Sequence, residues 1–110
     1  MLQERLLAPG TRCFCGCGRL AESLHHLVGK GQRGDDVWEN LVPLAGDGTR
    51  LCHGALEGAH RTWDDRTGTY CVPELVRRGI GLQLRRPAQW QRLRYVLEKK
   101  SAEWLRRRYP

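Results

Sequence analysis

The rhythm of apolar and polar positions changes along the chain, and each change predicts an element. The last third is the most regular. In "AQWQRLRYVLEKKSAEWLRRRY", Trp90, Leu93, Leu97 and Trp104 recur at helical spacings, which predicts one long helix opened by Pro87. Arg92, Lys99 and Arg106 repeat every seven residues and form a second, basic face. Upstream, "LAESLHHLV" fits a strand or a short helix. The glycine-rich loop Gly29 to Gly34 favours a strand that ends at Val28. "ENLVPL" reads as a second strand, kept short or at an edge by Pro43. "AGDGTR" is a turn with Asp47-Gly48 at its tip. From Cys52 onward "CHGALEGAHRTW" returns to helical spacing, with Gly54 near the helix start, and "DDRTGTY" is a loop. The first twelve residues form an arm or a single helical turn closed by Pro9-Gly10. "CFCGCG" is a tight cysteine knuckle, its glycines permitting the sharp turns that metal-bound thiolates need. Of the four tryptophans, Trp38 is placed to pack the loop before Asn40. Trp63, Trp90 and Trp104 are read as anchors of helices to the core.

Length changes this picture little: 110 residues make one domain. No apolar run reaches the 18 residues of a membrane span. "MLQERLLAPG" lacks the apolar core and small-residue cleavage site of a secretory signal, so a cytoplasmic protein is expected. Five cysteines is an odd number, and in a reducing compartment they suggest metal more than disulfides.

Charge changes it more. The net is +7. Residues 1–74 hold 8 Lys/Arg against 10 Asp/Glu, whereas residues 75–110 hold 11 against 2. The surplus is a property of the last third. Such a block points to a polyanion, nucleic acid before a membrane surface, with a merely solvated face as the plain alternative.

The candidate chemistry follows a strand–loop–strand–helix order: His25 and His26, Asn40, then His53. Phosphodiester cleavage with one metal ion needs a base to deprotonate water, a cation to neutralise charge on the phosphate, and a base held in one tautomer. Adjacent strand residues point to opposite faces, so a His–His pair can send one ring to a metal and the other to water. A later histidine at a helix start can close the metal site, and the glycine loop leaves room for a phosphate backbone.

With those residues in place, "LHHLVGKGQRGDDVWENLVPLAGDGTRLCHG" resembles the HNH endonuclease motif, closest to small phage-type members. The resemblance is good over residues 13–57 and weaker at the basic C-terminus. It implies an α+β fold: a single HNH nuclease domain over residues 1–110. Its small ββα-metal core spans 13–63, fronted by the cysteine knuckle, and a basic helical extension spans 74–110. It implies His26 as general base, His25 and His53 as metal ligands, and Asn40 as the residue that fixes His26 through the loop backbone. Glu57, one turn after His53, shares its helix face and stands as a further ligand or a solvated residue. His60 is read as a surface or DNA-contact residue.

The same resemblance implies a structural zinc beside the divalent ion of the active site (Mg²⁺, Mn²⁺, Ni²⁺ or Zn²⁺). Cys15, Cys17 and Cys52 are the preferred zinc ligands, completed by Cys13 or by Cys71. Ala45 occupies a position where relatives often carry a ligand. Double-stranded DNA is the expected partner, contacted through Lys30, Arg33, Arg92, Lys99, Arg106 and Arg107. The protein would act as a monomer or homodimer, in the host cytoplasm if phage-encoded. The competing reading is a non-catalytic zinc-binding DNA module that assists phage packaging proteins.

Overall fold

The computed structural model describes residues 2–110 and is an α+β fold with two small antiparallel sheets. The chain begins with α1 (Leu2–Leu6), then the cysteine knuckle, then strand β1 (Ser23–His26). β1 pairs with β2 (Leu41–Leu44) in the register Ser23↔Leu44 to His26↔Leu41. Every residue of β2 is buried, and Pro43 costs no ladder bond because a two-stranded sheet is all edge. Helix α2 (Leu51–Gly58) follows and presents Cys52, Ala55 and Leu56 to the core. The strand–strand–helix order of the sequence reading therefore holds.

Beyond α2 the two differ. "DDRTGTY" is the centre of a hairpin, β3 (Thr62–Asp64) with β4 (Thr69–Cys71), turning through Gly68 at φ 66°. Trp63 anchors nothing: it is 52% exposed and meets Tyr70 across the hairpin, ring centroids 5.0 Å apart. The buried residues of the hairpin are Thr62, Asp64 and Cys71; the Asp64 carboxylate accepts from Arg19 Nε at 2.6 Å and so ties the hairpin to the cysteine knuckle.

Helix α3 (Pro73–Leu84) falls within the helical extension expected over 74–110, although no apolar spacing was read there to place it. Pro73 opens it, and Val76, Ile80 and Leu84 lie one turn apart on its buried face. At Gly79 a Cβ would lie 2.0 Å from Cys15 O, so only glycine lets the helix approach the knuckle this closely.

The long C-terminal helix is two helices, α4 (Trp90–Lys99) and α5 (Ala102–Arg108). Lys100 leaves helical geometry, and Ser101 restarts the chain by accepting from Trp104 N at 3.1 Å. The break also changes which face is inside. Trp90 and Leu97 are exposed, while Val96, Leu105 and Tyr109 are buried. Arg92 is buried as well. Its guanidinium donates to Leu41 O at 3.0 and 3.2 Å and to Gln89 Oε1 at 2.6 Å, flanked by the Phe14 and Trp38 rings. Arg92 thus fastens α4 to β2 and is not a DNA-facing residue.

The core gathers Leu27, Val28, Val42, Leu44, Ala55, Leu56, Val76, Ile80, Leu84, Val96, Leu105 and Tyr109 around α2 and α3. Among the described residues no helix is long and apolar enough to cross a membrane.

Candidate metal centres and cleft

Strand alternation places Ser23 and His25 on the face of β1 that meets α2. There His25, His53 and Glu57 each offer one ligand atom, all within 4.8 Å of one another. His25 Nδ1 and His53 Nε2 both lie 3.3 Å from Glu57 Oε1. The helical spacing of four brings His53 and Glu57 onto one side of α2, so Glu57 belongs with the two histidines.

Hydrogen bonds on the far side of each ring assign the tautomers. Tyr109 has one hydroxyl hydrogen and donates it to Leu27 O at 2.8 Å. The 2.9 Å contact between Tyr109 Oη and His25 Nε2 is therefore a bond donated by the ring. Ser23 Oγ likewise spends its hydrogen on Gly46 O at 2.7 Å, so His53 Nδ1 donates to Ser23 at 2.6 Å. In the neutral rings the lone pairs then sit on His25 Nδ1 and His53 Nε2, both facing the carboxylate. Burial holds the His25 imidazole below its ordinary pKa, against the pull of Glu57. Three acceptor atoms converge, which is the arrangement a cation relieves.

This group opens into a cleft of about 600 Å³ whose walls include His26, Gly29, Lys30, Trp104 and Arg108. His26 stands at the end of β1, its Nε2 2.6 Å from Asp36 Oδ1. Asn40 is fully buried and pins the loop: Oδ1 accepts from Val28 N, and Nδ2 donates to Val28 O and Asp35 O, all between 2.8 and 3.0 Å. A Cβ on Gly34 would lie 1.7 Å from Val28 O and 2.8 Å from Asn40 Nδ2, so the pinned loop requires glycine there.

The second donor group is Cys13, Cys15, Cys17 and Cys52, again within 4.8 Å. Their sulfurs stand 3.3 Å (Cys13–Cys15), 3.7 Å (Cys15–Cys52) and 3.6 Å (Cys17–Cys52) apart. Hydrogen bonds with Cys13 and Cys15 hold the Cys17 thiol below its ordinary pKa, and those with Cys13, Cys15 and Cys17 push Cys52 above it. The group is compatible with a structural metal such as zinc, with Cys13 in the fourth place. Cys71 lies outside it, buried, 3.8 Å from Cys52. Ala45 takes no part through its side chain; its carbonyl accepts from His53 N at 3.0 Å at the start of α2.

No family model, curated protein or solved structure matches the chain.

The basic candidates divide. Lys30 and Lys99 are exposed but paired, with Asp36 at 3.0 Å and Asp35 at 3.1 Å. Arg33 and Arg106 are exposed, and Arg107 is exposed with Glu103 3.8 Å away. Arg92 is withdrawn altogether, so the basic face expected every seven residues does not form. His60 is at the surface, beside Arg61. Sequence reasoning missed three contributors, Ser23, Asp36 and Tyr109, and placed Arg108 only in the basic tail. Ser23 carried a signal, since it alternates with His25 on one strand face. Tyr109 carried none, lying 84 positions from its histidine.

Proposed function

We propose that the protein is a metal-dependent DNA endonuclease of the HNH type, with β1, β2 and α2 as its ββα-metal unit. The observation that carries this reading is the convergence of His25 Nδ1, His53 Nε2 and Glu57 Oε1 in a cleft that also holds the His26 ring. A divalent cation there would supply positive charge for a phosphodiester and its departing 3′ oxygen. Two imidazoles and one carboxylate suit Mn²⁺, Ni²⁺ or Zn²⁺ better than Mg²⁺.

The chain's own residues divide the remaining work. His26 accepts a proton from water, Asn40 holds the loop that carries its neighbours, and Lys30 and Arg108 meet phosphate oxygens at the cleft walls. Products would bear 5′-phosphate and 3′-hydroxyl ends. Zinc suits the four-thiol group, because zinc–sulfur bonds of about 2.3 Å set tetrahedral edges of about 3.8 Å. The three sulfur separations of 3.3 to 3.7 Å approach that edge.

The four-thiol group also favours a second reading, a non-catalytic zinc-binding DNA module accessory to phage DNA packaging. One experiment separates the two. Supercoiled plasmid is incubated with the protein and Mg²⁺, Mn²⁺, Ni²⁺ or Zn²⁺. Cleavage that disappears in His26→Ala, with folding and DNA binding retained, is the expected result. Intact plasmid with every metal, alongside salt-sensitive binding, would select the module.

A further inference from the structure

Two of the cleft's three imidazoles have their tautomers set by neutral partners, Tyr109 and Ser23. The third, His26, has a carboxylate. Asp36 Oδ1 lies 2.6 Å from His26 Nε2, and Asp36 Oδ2 receives Lys30 Nζ at 3.0 Å. Asp36 belongs to the segment that Asn40 and Tyr95 hold. Asn40 Nδ2 donates to Asp35 O, Asp35 N donates to Tyr95 Oη, and Tyr95 Oη donates to Asp35 Oδ2 at 2.7 Å. The carboxylate is thus presented on a braced loop, ten residues from its histidine.

An ionised carboxylate only accepts. Its bonds with His26 and Lys30 keep the Asp36 carboxyl below the ordinary range. The proton of the neutral ring must therefore sit on Nε2. Nδ1 is left with the lone pair, and among the described residues it has no hydrogen-bond partner. His26 also lines the cleft that holds the three convergent ligand atoms.

We propose that Asp36 is the positioning residue of His26: it fixes the Nε2–H tautomer and turns the Nδ1 lone pair to the cleft, with Lys30 holding the carboxylate in place. The inference rests on the endonuclease reading for its chemistry, and on geometry alone for the tautomer. When His26 takes a proton from water on Nδ1, the positive ring is left bonded to Asp36 through Nε2–H. Asp36 itself stays ionised throughout. Asparagine at this position can donate to Nε2 and so favours the wrong tautomer.

Two measurements test this on the full chain loaded with zinc. Long-range proton–nitrogen correlation spectra report which ring nitrogen of His26 carries hydrogen. The native protein should show it on Nε2, and Asp36→Asn should move it wholly or partly to Nδ1. Plasmid cleavage should fall about 100-fold in kcat for Asp36→Asn, with KM and metal affinity unchanged, and recover in part in Asp36→Glu. A native ring protonated on Nδ1, a tautomer indifferent to Asp36→Asn, or undiminished cleavage by that variant would each overturn the proposal. A tautomer that follows Asp36 in a native protein that cuts nothing would leave the positioning role standing and remove the endonuclease reading instead.

Discussion

Tyr109 and Ser23 each touch a metal-facing histidine on its far side, so their value is read in affinity, not in shape. Partners of this kind are worth about 10- to 100-fold in metal binding. Tyr109→Phe should therefore weaken Mn²⁺ or Zn²⁺ binding at the His25 group by about tenfold, measured by calorimetry, with little change in the circular dichroism spectrum. Asn40 should behave in the opposite way. Its three hydrogen bonds satisfy buried backbone groups, and each such group left unpaired costs about 1–3 kcal/mol. Asn40→Ala should lower unfolding free energy by about 3 kcal/mol in urea melts, metal or no metal. At this scale the sequence was informative wherever partners are near in the chain. His25, His26, Asn40 and His53 could be picked out by order and spacing. Tyr109 could not, because nothing in "RRRYP" says which ring its hydroxyl will reach.

Among elements, the legible ones were those marked off by punctuation in the chain. β1 and β2 were delimited by the Gly29–Gly34 loop, by Pro43 and by the Asp47-Gly48 turn, and α2 by its helical spacing after Cys52. α3 was covered only by the helical extension expected over 74–110, and its bounds were obscured by glycines that look like helix breakers until their close neighbours, Cys15 O and Tyr109 O, are known; Pro73 with Val76, Ile80 and Leu84 was the available signal. The expected single C-terminal helix failed for the reverse reason, since its apolar spacing runs straight through Ser101. The restart depends on that serine's cap. Ser101→Ala should cost about 1 kcal/mol. Because α5 carries Trp104, Leu105 and Arg108 and leads into Tyr109, the loss should appear first as faster amide exchange in α5 and weaker metal binding, before global unfolding.

For the whole molecule, the N-terminal knuckle and the β3–β4 hairpin are joined through Arg19 and Asp64. The Arg19 guanidinium holds the Asp64 carboxyl below its ordinary 3.8. The folded state thus favours the ionised form. This stabilisation is complete above the ordinary carboxylate value and is lost as pH falls through the lower, folded value. Urea melts between about pH 5 and pH 2 should show a steeper decline for the native protein than for Asp64→Asn. Equal slopes would mean that the pair contributes nothing. On the proposed function, one chain would bring one His25–His53–Glu57 group to one strand, so open circles should precede linear plasmid, with linear product rising as protein concentration brings a second chain to the opposite strand.

His25 lies on the first strand and its ring is seated by a residue 84 positions later. That separation sets an order in time. During synthesis β1, β2 and α2 emerge and can pair while α5 is still in the ribosome, yet the His25 tautomer is not fixed until Tyr109 arrives. Chain closure over so long a span comes late in folding. A half-made chain would hold the two histidines and Glu57 without the ring that orders His25, and its metal affinity would rise only as α5 docks.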